Sequence, residues 1–217
     1  MSLHRRRMTF GAGAVALALA LLVGTSATAQ AQARMPRIPP EKMTPEQQKA
    51  AAEFMETRET KTINGPFIAL LRSPNLINLA SEIGLWTRQT SLPPRLFEFV
   101  VLITAREWTQ NFEWNGHSAS ALKGGLSQDI VHAVADGRRP LQMAEDETIV
   151  YDFTTELLKN RSVSDDTYAR ALAKFGERGI IDMTGISGYY TMIAMVLNVA
   201  RTPLNEGVTP GLRHLPR

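Results

Sequence analysis

Between residues 34 and 217, apolar residues never alternate with polar ones for long enough to make a half-buried strand; they recur three and four positions apart. Leu76, Leu79, Ile83 and Trp86 follow that spacing, as do Ile149, Val150, Phe153, Leu157 and Leu158. A period near 3.6 buries one side of a helix, whereas a sheet requires a period of two. The chain is therefore expected to be all-α.

Punctuation residues divide this pattern into helices. Thr44-Pro45-Glu46-Gln47 offers an N-cap Thr, a Pro at the first helical position and a Gln placed to close a capping box. That helix is expected to run to about Lys61 and stop at Asn64-Gly65-Pro66. Further helical stretches are expected over residues 75–90, 95–108 and 112–123, and from a Ser127 cap through Ala135. Three more follow: one around Ile149 ending near Lys159, one from a Ser164 cap through Phe175, and one over about 180–201. Residues 95–108 are apolar on nearly every side, with Leu96, Phe97, Phe99, Val100, Val101, Leu102 and Ile103, which implies burial from several directions. Residues 180–199 are long and apolar, but Asp182, Thr184, Ser187 and Asn198 fit a buried helix better than a membrane span.

The N-terminus reads as an address. Arg5-Arg6-Arg7 is followed by an uncharged stretch from Met8 to Val23 and then by small residues offering A-x-A cleavage options up to Ala33. Both a twin-arginine and a general secretory signal fit, with an uncleaved anchor as the alternative. The expected organisation is a signal peptide over 1–33, an arm and first helix over 34–63, a main domain over 64–201 and a tail over 202–217 that wraps over the surface or a neighbouring subunit. The formal charge of +3 comes from 24 Lys+Arg against 21 Asp+Glu, and cleavage would remove three arginines and no acid. A neutral mature chain gives no electrostatic reason to expect a nucleic-acid partner. Cleavage would also leave no stable membrane span. The chain has no cysteine, which excludes disulfides, thiolate metal sites and cysteine nucleophiles, and suits a periplasmic or secreted location.

The polar residues that invite chemistry lie between Glu98 and His117. Gln110, Glu113 and His117 fall on one face of a helix, and a carboxylate one turn before an imidazole can accept its N–H and fix its tautomer. That is the minimum equipment for proton transfer near neutral pH; the plainer reading is an exposed helix pair. Glu113 and His117 supply only two metal ligands, and His132 lies on a separate helix without an HxxxH companion, so no metal is expected. Asn115-Gly116 inside a helix implies either a late start or a close approach of another segment.

Several fragments resemble the carboxymuconolactone decarboxylase family. They are Asn64-Gly65-Pro66-Phe67, Leu70-Leu71-Arg72-Ser73-Pro74, Leu92-Pro93-Pro94-Arg95-Leu96-Phe97-Glu98, Ala105-Arg106-Glu107-Trp108 and Phe112-Glu113-Trp114-Asn115-Gly116-His117. Later echoes are Gly124-Gly125-Leu126-Ser127, Val163-Ser164-Asp165 and Gly188-Tyr189-Tyr190. The resemblance implies an AhpD-like helical domain assembled as a homo-oligomer, a trimer or hexamer, with sites near subunit boundaries. The AhpD-like branch uses Cys-x-x-Cys-x-x-x-His with an upstream Glu. Aligned on His117, its cysteine positions fall at Gln110 and Glu113 and its upstream Glu at Glu98. With both sulfurs absent, thiol peroxidase chemistry is excluded, and the chain resembles the cysteine-free, decarboxylase-like branch.

That branch implies a cofactor-independent lyase acting on a small carboxylated lactone or related acid. His117 is the expected proton donor, Glu113 orients it and Glu98 comes next in the relay. Arg88, Arg95 and Arg106 are candidates to hold substrate carboxylates through forked hydrogen bonds, with ordinary surface pairing as the plainer reading. Trp114 and Trp108 are candidates to wall the pocket, or else core residues. A non-catalytic binding or assembly protein and a thiol-free peroxidase remain the alternatives. If one straight helix held Glu98 and Gln110 they would stand about 18 Å apart, so a relay requires a chain reversal between Trp108 and Phe112.

Overall fold

Proline at a first helical position pre-sets φ and gives up an N–H for which the helix has no acceptor. Among the described residues this device appears five times. In the computed structural model, which describes residues 33–215, a 3-10 turn opens at Pro40. Then follow α1 (Pro45–Thr57), α2 (Pro66–Leu70), α3 (Pro74–Trp86) and α4 (Pro94–Glu107), each with Pro first. The remaining elements are α5 (Asn111–Lys123), α6 (Gln128–Ala135), α7 (Glu145–Asn160) and α8 (Asp165–Ala200). The described residues contain no strand, so the molecule is all-α. The expected signal segment lies outside the described residues, save for Ala33.

Local chemistry accounts for most helix ends. Thr44 Oγ1 accepts from the Gln47 N–H at 3.2 Å while Gln47 Oε1 accepts from the Thr44 N–H at 3.1 Å, closing the capping box. Ser127 and Ser164 cap α6 and α8 by accepting from Ile130 and Thr167. Helix α1 ends at Thr57, a turn earlier than its composition suggests. Arg58 leaves the helix to donate to Ser81 Oγ of α3 at 3.0 Å. The short α2 was not legible in the periodicity. It begins after Gly65, whose φ of 58° and whose Cβ position 2.9 Å from the Phe112 ring both demand glycine.

Helix α4 is the axis of the molecule. All residues from Leu96 to Arg106 are buried, and α5, α6, α7 and α8 pack around it. A helix apolar on every side has no face to offer water, so its neighbours must enclose it. Its partner α8 is long and apolar enough to cross a membrane by length and composition. Here Met183, Ile186 and Leu197 are fully buried, and α8 packs on α2, α4 and α7. The helix bends at Gly176, where φ 66° and ψ 177° interrupt the helical backbone. Asp182 accepts from Ser91 N–H at 2.6 Å and Ser91 Oγ–H at 2.7 Å, which ties α8 to the loop that launches α4.

The chain reverses between α4 and α5 at Trp108, Thr109 and Gln110. Thr109 takes φ 49°, an outlying conformation for a β-branched residue, and its Oγ1 accepts from Arg106 Nη2 at 2.6 Å. Gln110 serves as N-cap of α5, accepting from Phe112 N–H at 2.7 Å and donating to Asn198 of α8 at 2.8 Å. Beyond α8 the tail lies on its own chain. Asn111 exchanges two hydrogen bonds with Leu212, at 2.7 and 3.2 Å. Asn115 does the same with Thr209 and Gly211, at 2.7 and 3.1 Å.

Candidate functional site

The α4–α5 reversal brings Glu98, one turn into α4, against His117, in the second turn of α5. Glu98 Oε2 lies 2.6 Å from His117 Nδ1. Both side chains are largely buried. A carboxylate on Nδ1 holds the neutral ring as the Nδ1–H tautomer and leaves Nε2 as the basic nitrogen. Aromatic edges fix the ring's tilt. The Tyr190 ring stands edge-on at 5.0 Å and Phe97 at 6.4 Å. On the outer side of Glu98, Arg88 Nη1 lies 3.8 Å from Oε1, and the Arg88 guanidinium sits 5.2 Å from the Phe97 ring centroid.

His117 lines a cavity of about 290 Å³ with Arg58, Arg88, Glu113, Tyr189 and Tyr190. Phe67, Phe112, Ile193 and Leu197 make its apolar walls. Gly116 also faces it, with no atom within 4 Å of where a Cβ would stand. The glycine therefore leaves space at the imidazole, while the close approach falls one residue earlier, where the tail meets Asn115. Gly84 has the opposite role: a Cβ there would stand 2.4 Å from the Tyr189 hydroxyl and 2.6 Å from Arg58 Nη2.

Glu113 does not orient the imidazole. Its side chain is buried and neither carboxyl oxygen has a hydrogen-bond partner. Burial pushes its pKa well above the usual carboxylate range, because a desolvated negative charge without a partner is expensive. Burial thus favours the neutral, hydrogen-bond-donating form of Glu113, and Glu98 is the carboxylate that holds His117. The Tyr189 and Tyr190 phenols are likewise pushed up by burial and stay protonated.

The candidate arginines separate. Arg88 reaches the cavity rim. Arg95 instead pairs with Asp146 at 2.7 Å and with Glu147, joining the starts of α4 and α7. Arg106 is buried at the other end of α4 and braces the reversal. Trp114 lies beneath the tail, with the Cβ position of Gly211 only 2.5 Å from its ring. It does not line the His117 cavity. Trp108 donates to Thr191 Oγ1 at 3.3 Å. Exposed His132 lies beside Gln128 on α6. Among the described residues no three His, Asp or Glu side chains converge as a metal site.

Three polar cavity residues, Arg58, Tyr189 and Tyr190, escaped sequence reasoning. Arg58 follows α1 with nothing local to mark it; it stacks 4.7 Å from the Phe67 ring centroid and reaches the site only through the α1–α3 packing. Tyr189 and Tyr190 carried a faint signal, adjacent tyrosines in the largely apolar second half of α8 that fall in the Gly188-Tyr189-Tyr190 echo. A second cavity of about 780 Å³ shares no lining residue with the first and includes Arg106, Trp108 and Tyr151. No family model matches the chain, and no curated protein matches it.

Proposed function

We propose that the chain is a cofactor-independent lyase of the carboxymuconolactone decarboxylase type, acting on a small carboxylated lactone or related acid. The observation that carries this reading is the Glu98–His117 contact at the wall of a cavity that also holds a buried, unpartnered carboxyl and two phenols. Loss of CO2 from such a substrate sends the electron pair of the breaking C–C bond into the lactone carbonyl as a dienolate. The enzyme then needs a donor for the developing oxyanion and a proton for carbon. Glu113, Tyr189 and Tyr190 are neutral donors of the first kind. Protonated His117, its Nδ1 side held by Glu98, delivers the second from Nε2. Arg88 and Arg58 hold the substrate carboxylates in place of Arg95 and Arg106.

The same reading includes export to the periplasm and assembly into a trimer or hexamer. Support for assembly comes from apolar side chains left exposed on α3 and α8, among them Leu79 at 55% and Ile181 at 65%. Surface of this kind is what an oligomer covers.

The test is release of CO2 from a panel of small carboxylated lactones by the wild type, His117→Ala and Glu98→Gln. His117→Ala is expected to lose turnover by at least about 100-fold, the scale of general acid–base catalysis, with unchanged circular dichroism. Glu98→Gln should fall about tenfold or more through the loss of a charge-assisted hydrogen bond. Turnover indifferent to His117 would reject the assignment. Thermal stabilisation by a lactone acid without CO2 release would favour a binding protein of the same fold.

A further inference from the structure

We propose that the second cavity is a binding site for a small organic acid, with the acid's carboxylate on Arg106 and its apolar body between Trp108 and Tyr151. Arg106 is 8% exposed, and its three acceptors are all neutral: the Ala135 carbonyl at 3.1 Å, the Arg213 carbonyl at 2.9 Å and Thr109 Oγ1 at 2.6 Å. A guanidinium carries five N–H donors, so two have no acceptor among the described residues. Arg95, at the other end of the same helix and more exposed, has two carboxylates. Exposed Glu107 attracts Arg106 without forming a salt bridge; a buried cation so weakly paired is costly, and an anion entering the cavity supplies a stronger counter-charge. The burial that lowers the Arg106 pKa strengthens its attraction for an incoming negative charge.

The cavity mouth carries the same sign. Lys159 and Arg138, the latter paired with Asp136 at 3.0 Å, line it against the single acid Glu107. Elsewhere apolar Ile103, Trp108, Val134, Tyr151, Leu158 and Leu215 share the walls with the polar Thr155 and Asn198; the apolar part gains from an apolar body and offers inorganic phosphate little. The volume falls within the range of sites for small organic ligands.

The probes are benzoate, its uncharged counterpart benzamide, and inorganic phosphate, titrated into the full chain by calorimetry and tryptophan fluorescence. Benzoate is expected to bind saturably, with benzamide and phosphate at least about tenfold weaker. Arg106→Gln should weaken benzoate at least about tenfold. Lys159→Gln, on an exposed side chain that leaves the fold intact, should weaken it several-fold. Trp108 is the sole tryptophan lining this cavity, so Trp108→Phe should remove the fluorescence response, while His117→Ala should leave the response and the heat unchanged. The proposal is overturned if benzoate does not saturate, if benzamide or phosphate matches it, if Lys159→Gln leaves its affinity unchanged, or if His117→Ala abolishes binding.

Discussion

At the scale of single residues, two glutamates of the same chemistry meet opposite surroundings. Glu98 meets an imidazole and an arginine; Glu113 meets neither, and burial pushes its pKa well above the usual carboxylate range. That difference sets a pH dependence. A carboxyl whose folded pKa lies above its unfolded value holds a proton that the unfolded chain releases above about pH 4.5. Its contribution is therefore fully favourable below that pH and is lost as pH rises toward the folded pKa. Glu113→Gln removes the proton and the dependence. Denaturant unfolding should show the variant gaining stability relative to the wild type from pH 5 to pH 8, by about 1 kcal/mol per pH unit until the folded group ionises. A constant difference across that range would mean that Glu113 is charged or paired.

At the scale of elements, helix formation and helix direction have separate causes. Apolar spacing makes α8 a helix, but Gly176 decides where its two halves point. Its φ of 66° with ψ of 177° lies in a region open essentially to glycine alone. Nothing lies within 4 Å of a Cβ there, so any cost of a side chain is conformational and not steric. Gly176→Ala is expected to destabilise the fold by about 1–3 kcal/mol in urea unfolding. A neutral result would show that the bend is not required. The α4–α5 reversal depends similarly on Thr109 in a left-handed conformation steadied by Arg106. The arginine that resembled a substrate ligand is what holds the turn that lets Glu98 reach His117.

For the whole molecule, two surfaces are treated differently. The tail covers Trp114 and the start of α5 through paired amide hydrogen bonds. The α3 and α8 faces carrying Leu79, Ile83, Ile181, Met195 and Val199 stay exposed. Assembly through the α8 face predicts that Ile181→Asp shifts sedimentation to the monomer while leaving the helical signal unchanged. A wild type that is itself monomeric at micromolar concentration would remove the oligomer from the proposed function.

The all-α class, the Thr44, Ser127 and Ser164 caps, the Pro45 start of α1 and the loss of thiol chemistry were all legible in the sequence. Each depends on residues within a turn of one another, or on composition alone, and short-range forces suffice. The pairing at the site was not. Glu113 is the acid closest to His117 in sequence, but the imidazole is held by Glu98, nineteen residues away, because packing α5 on α4 sets which carboxylate reaches it. Likewise Arg58 and Arg88 face the cavity while Arg95 and Arg106 do not. Desolvation and charge pairing depend on what lies across a gap in space, and in this chain the tertiary packing of α4, α5 and α8 decided what that would be.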